Sequence, residues 1–322
     1  MNDTTDEPVF SELRVAAAET IAEGIKRFEL RHPDGVPLAP FTAGAHVPLV
    51  TPGGALRRYS LCNDAHESDR YEIAVKRDAA GRGGSIAMVD RLAVGDRIAV
   101  AEPRSEFSLA PRARRFLFIA GGIGITPVLA MMRFLATEGA RPFRLVYLTR
   151  DRASTAFADV LAAPEFAAVT TIHHDDGDPS KAFDLWPLLE KPSNAHIYCC
   201  GPRALMDAVR DMSGHWPFGA VHFESFGVDA ATRRHDVAFD VQLARSGRVV
   251  HVPANQSILE ALRAENVHVR SSCEAGSCGS CRTGLIAGDV EHRDFVLGED
   301  ERASAIMVCC SRARSGALTL DL

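Results

Sequence analysis

The sequence predicts a multidomain chain: an antiparallel β-barrel, then an α/β domain with a parallel sheet, then a small α+β domain of β-grasp type. Three observations carry that expectation. Short β-rich runs broken by turn chemistry fill the first 110 residues. Strand–helix alternation takes over at Phe116. A cysteine-rich loop then stands in a last segment that holds one helix and several short strands. A length of 322 residues suits two or three domains, each large enough for its own core. The formal charge of −6 argues against nucleic acid or an anionic membrane as partner.

In the barrel segment, His46-Val-Pro-Leu-Val50, Tyr71-Glu-Ile-Ala-Val-Lys76 and Asp96-Arg-Ile-Ala-Val-Ala101 read as strands. Pro-Gly-Gly, Gly-Arg-Gly-Gly and Val-Gly-Asp turns separate them, as an antiparallel barrel or sandwich requires. Next come strands at Phe116–Ala120, Phe143–Thr149, Thr170–His173 and His196–Cys200, with helices at Pro127–Thr137, near Phe157–Leu161 and at Arg203–Met212. Thr126 is the expected N-cap of the first helix, Pro127 its first turn and Gly139 its stop. Phe116 to Met132 is nearly uncharged, but Gly121, Gly122, Gly124 and Pro127 break it, so strand, turn and helix explain it better than a membrane span. Residues 227–236 are small and polar and read as a linker. Beyond it, Ala238–Ala244 and Val249–Val252 form a hairpin, and Ser257 caps a helix running to Glu265. The expected domains are therefore residues 1–110, 111–226 and 237–322. The acidic, polar start from Met1 to Pro8 is unlike an export signal, which points to the cytoplasm.

Cys273-Glu-Ala-Gly-Ser-Cys278-Gly-Ser-Cys281, followed by Cys309 or Cys310, is the most informative motif. Its C-x4-C-x2-C…C spacing is that by which plant-type ferredoxins hold a [2Fe–2S] cluster on four thiolates. Gly276 and Gly279 let the loop curl, leaving backbone N–H groups to face the sulfurs. Zinc sites usually pair two C-x2-C knuckles, and this chain has one. A disulfide framework does not suit a long chain whose other cysteines, Cys62, Cys199 and Cys200, lie in apolar strands. If Ile306–Ser311 is a strand, alternation turns only one of Cys309 and Cys310 toward the loop. His173-His-Asp-Asp176, ahead of Gly177, reads as a solvated loop before it reads as a metal site.

Two further regions suggest cofactors. Arg57-Arg-Tyr-Ser-Leu61 sets a cation, an aromatic and a hydroxyl on one strand. Arg57 can meet a phosphate or a flavin's polar edge, Tyr59 can flank the ring, and Ser60 can bond near its N5. Gly81-Arg82-Gly83-Gly84-Ser85 feeds a helix over Ile86–Leu92, whose N-terminus can receive a phosphate. Gly121-Gly-Ile-Gly-Ile-Thr-Pro127 lies between strand and helix, the context of a dinucleotide turn, and Cys199-Cys-Gly-Pro202 puts a second turn on the same sheet edge. Asp151 can take a ribose hydroxyl and Arg150 a 2′-phosphate, so this pair leaves NADH and NADPH both open.

Taken together, these motifs resemble the FMN/[2Fe–2S] oxygenase reductase family, within the ferredoxin-reductase superfamily, and the likeness runs over essentially the full length. Arg57-x-Tyr-Ser-Leu61, Gly81-Arg-Gly-Gly-Ser85, Gly121-Gly-Ile-Gly-Ile-Thr-Pro127, Tyr198-Cys-Cys-Gly-Pro202, His222-Phe-Glu-Ser-Phe226 and Cys309-x-Ser-Arg-Ala313 all match. The resemblance implies FMN rather than FAD and NADH rather than NADPH. It makes Cys273, Cys278, Cys281 and Cys309 the cluster ligands. Phe226 is placed against the isoalloxazine, Ser60 and Thr126 are flavin contacts, and Gly201 and Pro202 lie on the nicotinamide side. Ala74, Val75, Lys76, Arg82, Gly83, Gly84, Ser85, Gly122 and Gly124 complete the cofactor-binding set. Ser60, Cys200 and Glu224 are the candidates for shaping the reacting site.

The function so implied is transfer of electrons from NADH through FMN and the cluster to a separate Rieske-type, phthalate-like aromatic-ring dioxygenase. A second reading keeps the cofactors but serves a demethylating oxygenase or a cytochrome P450. A third is a redox-responsive iron–sulfur binding protein. The chain is expected to be monomeric, because no long exposed apolar stripe is evident.

Overall fold

The computed structural model describes residues 9–139, 141–227 and 235–322. The N-terminal residues 1–8 and most of the expected linker, 228–234, lie outside the described residues. The chain forms two compact units, Met1–His222 and Phe223–Leu322.

The first unit opens with six strands: β1 (Phe10–Ala22), β2 (Ile25–Arg31), β3 (His46–Val50), β4 (Leu56–Ser60), β5 (Tyr71–Lys76) and β6 (Arg97–Ala101). They run in the order β4-β3-β6-β1-β2-β5, and β4–β3, β3–β6, β6–β1, β1–β2 and β2–β5 pair antiparallel. A bridge between Leu61 and Ile73 joins the two ends, so the sheet curls into a barrel. Val15, Phe28, Leu30, Val47, Leu49 and Ile73 alternate inward to fill it.

β7 (Phe116–Gly121), β8 (Phe143–Thr149), β9 (Thr170–His174), β10 (His196–Cys200) and β11 (Val221–Glu224) form the second sheet, ordered β11-β10-β7-β8-β9. The pairs β10–β7, β7–β8 and β8–β9 are parallel. The helix Ile125–Glu138 follows β7 through a 3-10 turn at Gly122–Gly124, and Gly139 stops it in the left-handed conformation. Its N-cap is Gly124, not Thr126. Helical geometry begins one residue before Thr126, whose hydroxyl bonds back to the Ile123 carbonyl at 3.0 Å, inside the first turn. Among the described residues, no helix is long and apolar enough to cross a membrane.

Barrel and parallel sheet share one apolar cluster, in which Ile25, Cys62, Ala74 and Phe107 meet Phe118, Leu129, Met131 and Tyr198. A polar latch is set beside it. Arg133, on the helix Ile125–Glu138, donates to the Cys62 carbonyl at 2.6 Å and to the Glu72 carboxylate at 3.1 Å. Glu72 is buried on β5, where Arg27 stands 3.6 Å away. One turn on, Thr137 donates to Asp64, and His66 stacks on Phe134 with ring centres 4.9 Å apart.

The second unit holds β12 (Phe239–Leu243), β13 (Val249–Val252), β14 (Arg282–Glu291), β15 (Ala305–Met307) and β16 (Arg312–Leu320), ordered β13-β12-β16-β14-β15. β12 and β16 are parallel, and β12–β13, β14–β15 and β14–β16 are antiparallel. The helix Ile258–Ala264 lays Ile258, Leu259 and Leu262 on this mixed sheet, the β-grasp arrangement. Its N-terminus carries a capping box in which Ser257 and Glu260 satisfy each other's backbone N–H. The strand expected over Ile306–Ser311 ends at Met307, and residues 308–310 form a turn. Alternation therefore does not decide between Cys309 and Cys310. Asp236 lies buried between Arg293, at 2.6 Å, and Arg312, at 3.5 Å.

Removing one partner of a buried ion pair strands the other in low dielectric. Arg133→Met is expected to cost about 3 kcal/mol in urea unfolding, and adding Glu72→Met to recover most of it. Additive losses in that double-mutant cycle would show that the two side chains do not act together.

Candidate redox site

Three sets of residues have the chemistry of redox cofactor sites. The first is on the barrel. Arg57, Tyr59 and Ser60 lie on β4, paired with Leu49, Val47 and His46 of β3. Burial raises the Tyr59 phenol to about 12, so it stays neutral, and Ser60 is itself buried. The helix Gly84–Arg91 begins beside them, with Gly83 as N-cap at φ 82° and no side-chain cap. Its first N–H groups are thus left for an anion. A Cβ on Gly84 would stand 2.6 Å from Arg57 Nε, so only glycine lets the guanidinium lie against this helix start. A cation beside open N–H groups fits a flavin phosphate. The Ser85 hydroxyl accepts the Asp78 N–H at 3.1 Å, and Arg82 is exposed. Ala74 and Val75 put their side chains into two different cores, which leaves their backbone to meet a ligand, while Lys76 is exposed at the end of β5.

The second set is the carboxyl edge of the parallel sheet. A Cβ on Gly124 would fall 2.2 Å from the Cys200 carbonyl oxygen. One on Gly201 would fall 2.9 Å from Gly121 Cα, and one on Gly121 2.6 Å from Pro202. Two turns from separate strands therefore interlock backbone on backbone, which leaves a bare peptide edge where ligands of such sheets bind. Gly122 takes φ 52°, and its carbonyl accepts the Tyr147 hydroxyl at 3.0 Å. Thr126 and Cys200 are buried at this edge. Asp151 uses its carboxylate on its own turn, accepting the Ser154 N–H at 2.8 Å, while Arg150 is exposed. His174 bonds Thr149 at 2.9 Å and His173 the Lys181 carbonyl at 2.7 Å, so both imidazoles of the His173–Asp176 run serve local structure.

In the second unit Glu224 is buried and Phe226 is half exposed. The cysteine loop there turns through three left-handed residues, Glu274, Gly276 and Gly279. Its three thiols, Cys273, Cys278 and Cys281, and Cys309 beyond β15 fall into two pairs. The Cys273 thiol donates to Cys278, which holds Cys278 down to about 5 and pushes Cys273 up. Cys309 donates to Cys281 in the same way, lowering Cys281 and raising Cys309. Backbone N–H groups of Cys273 and Ser280 reach the Cys278 sulfur at 3.4 and 3.5 Å, and that of Ala275 reaches the Cys273 sulfur at 3.4 Å. Soft donors paired two and two, with N–H groups on the sulfurs, fit a cluster of two irons. Cys310 lies against the same loop: its thiol reaches the Met307 carbonyl at 3.8 Å, its sulfur fills the space a Gly276 Cβ would need, and it also acts on Cys309 to raise that thiol.

Sequence reading missed His46, Arg133 and Glu72. Each depends on a partner distant in sequence. For His46 and Glu72 the local sign is a polar residue in an otherwise apolar strand, and for Arg133 a cation in a largely apolar helix.

Cys309→Ser is expected to abolish bound iron and sulfide, and Cys310→Ser to keep both, as measured by chemical analysis and by the electron paramagnetic resonance signal of the reduced cluster. Cluster retention in Cys309→Ser would shift the fourth ligand to its neighbour.

Comparison with known proteins agrees with this geometry. Residues 118–211 match the oxidoreductase NAD-binding domain, and residues 241–314 match the 2Fe-2S iron-sulfur cluster binding domain. The chain is 55% identical over 320 residues to phthalate dioxygenase reductase of Burkholderia cepacia, covering 99% of both chains. It is also 55% identical, over 97% of each chain, to a phthalate 4,5-dioxygenase reductase subunit of Pseudomonas putida. A solved phthalate dioxygenase reductase, described as modular for electron transfer from pyridine nucleotides to [2Fe-2S], superimposes with a TM-score of 0.77 over 97% of this chain and 98% of that one. An identity this high, over this length and with both domains in order, shows that the chain belongs to the phthalate dioxygenase reductase family.

Proposed function

We propose that the protein passes electrons from NADH, through FMN and a [2Fe–2S] cluster, to a separate Rieske-type oxygenase acting on a phthalate-like aromatic acid. The observation that carries this reading is the presence, in one chain, of an interlocked glycine edge for a nucleotide and a cysteine loop whose sulfurs accept backbone N–H groups. A hydride brings two electrons at once, whereas an iron–sulfur centre moves one. FMN, when bound, supplies the exchange between the two regimes.

The chain's own residues bind and orient. Arg57 and the first N–H groups of the helix Gly84–Arg91 would hold the FMN phosphate. Tyr59, a neutral phenol, would flank the ring, and Ser60 would place a hydroxyl at its polar edge. The Gly121–Gly124 and Gly201–Pro202 turns would carry the dinucleotide along a backbone edge that a side chain would block. Cys200, buried beneath that edge, excludes water there. Cys273 and Cys278 would serve one iron and Cys281 and Cys309 the other. No side chain need act as a general acid or base, since placing the two rings in contact is the catalytic task. The family relationship supports an oxygenase as acceptor, because both relatives named above are reductases of phthalate dioxygenases. The Rieske type of that partner, a monomeric state and a cytoplasmic location are parts of the same reading.

The test is the visible spectrum of anaerobic protein before and after one equivalent of NADH. Flavin bands and a broad cluster absorbance should both bleach. Flavin bands alone, even after reconstitution with iron and sulfide, would break the relay. Adding a phthalate-class oxygenase should then restore the oxidised spectrum, whereas a demethylating oxygenase or a cytochrome P450 doing so in its place would reassign the acceptor. Failure to turn over any added electron acceptor would favour a redox-responsive binding protein.

A further inference from the structure

His46 is a buried polar residue that the site described above does not use. It opens β3, where Val47 and Leu49 point into the barrel core, so alternation turns His46 to the opposite face. That face is covered here, and only 5% of His46 is exposed. Its backbone is held on both sides. It pairs with Ser60 of β4, and it exchanges two 2.9 Å hydrogen bonds with Arg104. Residues directly opposite on neighbouring strands share a face, so His46 and Ser60 stand side by side.

The Nε2 atom of His46 is buried and has no hydrogen-bond partner. Nearly all buried polar atoms have one, because an unmade bond leaves the loss of water uncompensated. Packing alone would be served better by leucine or phenylalanine at this position. Burial and the nearby Arg58 and Arg104 hold the imidazole neutral, pushing it down to about 4. A neutral imidazole has one donor nitrogen and one acceptor, and it adds no charge between two guanidiniums.

We propose that His46 is a further flavin-contacting residue, with Nε2 hydrogen-bonded to the polar edge of the isoalloxazine next to Ser60. This rests on the FMN reading above. The ring is favoured over the nucleotide because His46 belongs to the barrel and neighbours the strand of Arg57, Tyr59 and Ser60. The ring's pyrimidine edge offers both donors and acceptors, which a neutral imidazole can meet. A donor there binds the electron-rich reduced ring more tightly than the oxidised one, so His46 raises the flavin potential as well as its affinity.

The test uses the full chain loaded with FMN. His46→Leu fills the space without a polar atom, and His46→Gln keeps a donor and an acceptor. FMN affinity is read from the fluorescence of released flavin, and the flavin midpoint potential from a dye-coupled titration. His46→Leu should lose about tenfold in FMN affinity, the size of one hydrogen bond, and move the potential to more negative values. His46→Gln should recover most of both. Unchanged affinity and potential in His46→Leu overturn the proposal and leave His46 a packing residue. A change confined to NAD+ affinity overturns it in favour of a nicotinamide contact. If His46→Leu does not fold, His46→Phe carries the same comparison. A wild-type protein that takes up no FMN defeats the underlying reading instead, a result distinct from a wild type that binds FMN and a variant that matches it.

Discussion

The first unit depends on the hold that Arg133 has over a backbone carbonyl and a buried carboxylate. Its guanidinium grips the Cys62 carbonyl, two residues beyond Ser60, and the buried Glu72 carboxylate on β5. Arg133 belongs to the helix that starts at Gly124, the turn that forms the nucleotide edge. One side chain thus runs from the end of the flavin strand to the helix behind the nucleotide turn. The apolar cluster around Phe118 and Met131 supplies most of the buried area. Apolar surfaces can slide across one another at little cost, whereas a buried ion pair cannot be pulled partly apart without leaving two uncompensated charges. Area gives the association and the ion pair gives its register.

The second unit solves a similar problem with a similar device. Asp236 sits between Arg293 and Arg312, and Arg312 also donates to the Val237 and Pro253 carbonyls at 3.0 and 3.2 Å while lying over the Phe239 ring. Arg312 follows the Cys309 turn, and Arg293 leads into Phe295, whose N–H bonds the Gly276 carbonyl at 2.9 Å. Both arginines are therefore fixed on segments that border the cysteine loop. A loop that carries three of the four candidate sulfurs needs such support, because its backbone turns through three left-handed residues.

Much of this was legible in the sequence because its causes are local. Cysteine spacing, glycine turns between strand and helix, and the Ser257–Glu260 box each act within a few residues. Their structural outcomes followed, as did the three sheet types. Where reading failed, a longer-range or finer cause had intervened. Thr126 has the chemistry of a cap, yet Gly124 takes that place because the preceding turn must pack against the Cys200 carbonyl. The apolar run Ile306–Cys310 resembles a strand, yet it breaks after Met307 so that Cys309 can reach Cys281. Glu72 and Arg133 are far apart in sequence, and His46 and Ser60 meet only through strand register, so neither pairing leaves a mark on a single window of residues.

The pairing of β14 with β15 bears on how the candidate cluster centre is built. β14 begins directly after Cys281 and β15 ends two residues before Cys309, with Arg282 paired to Met307. Strand pairing therefore brings Cys281 and Cys309, two of the four candidate ligands, to the same end of the sheet. The other half, Cys273 and Cys278, lies on the loop and is joined only through that loop's turns. The candidate ligands are thus placed by two different causes, two by pairing between strands far apart in sequence and two by turns within one loop.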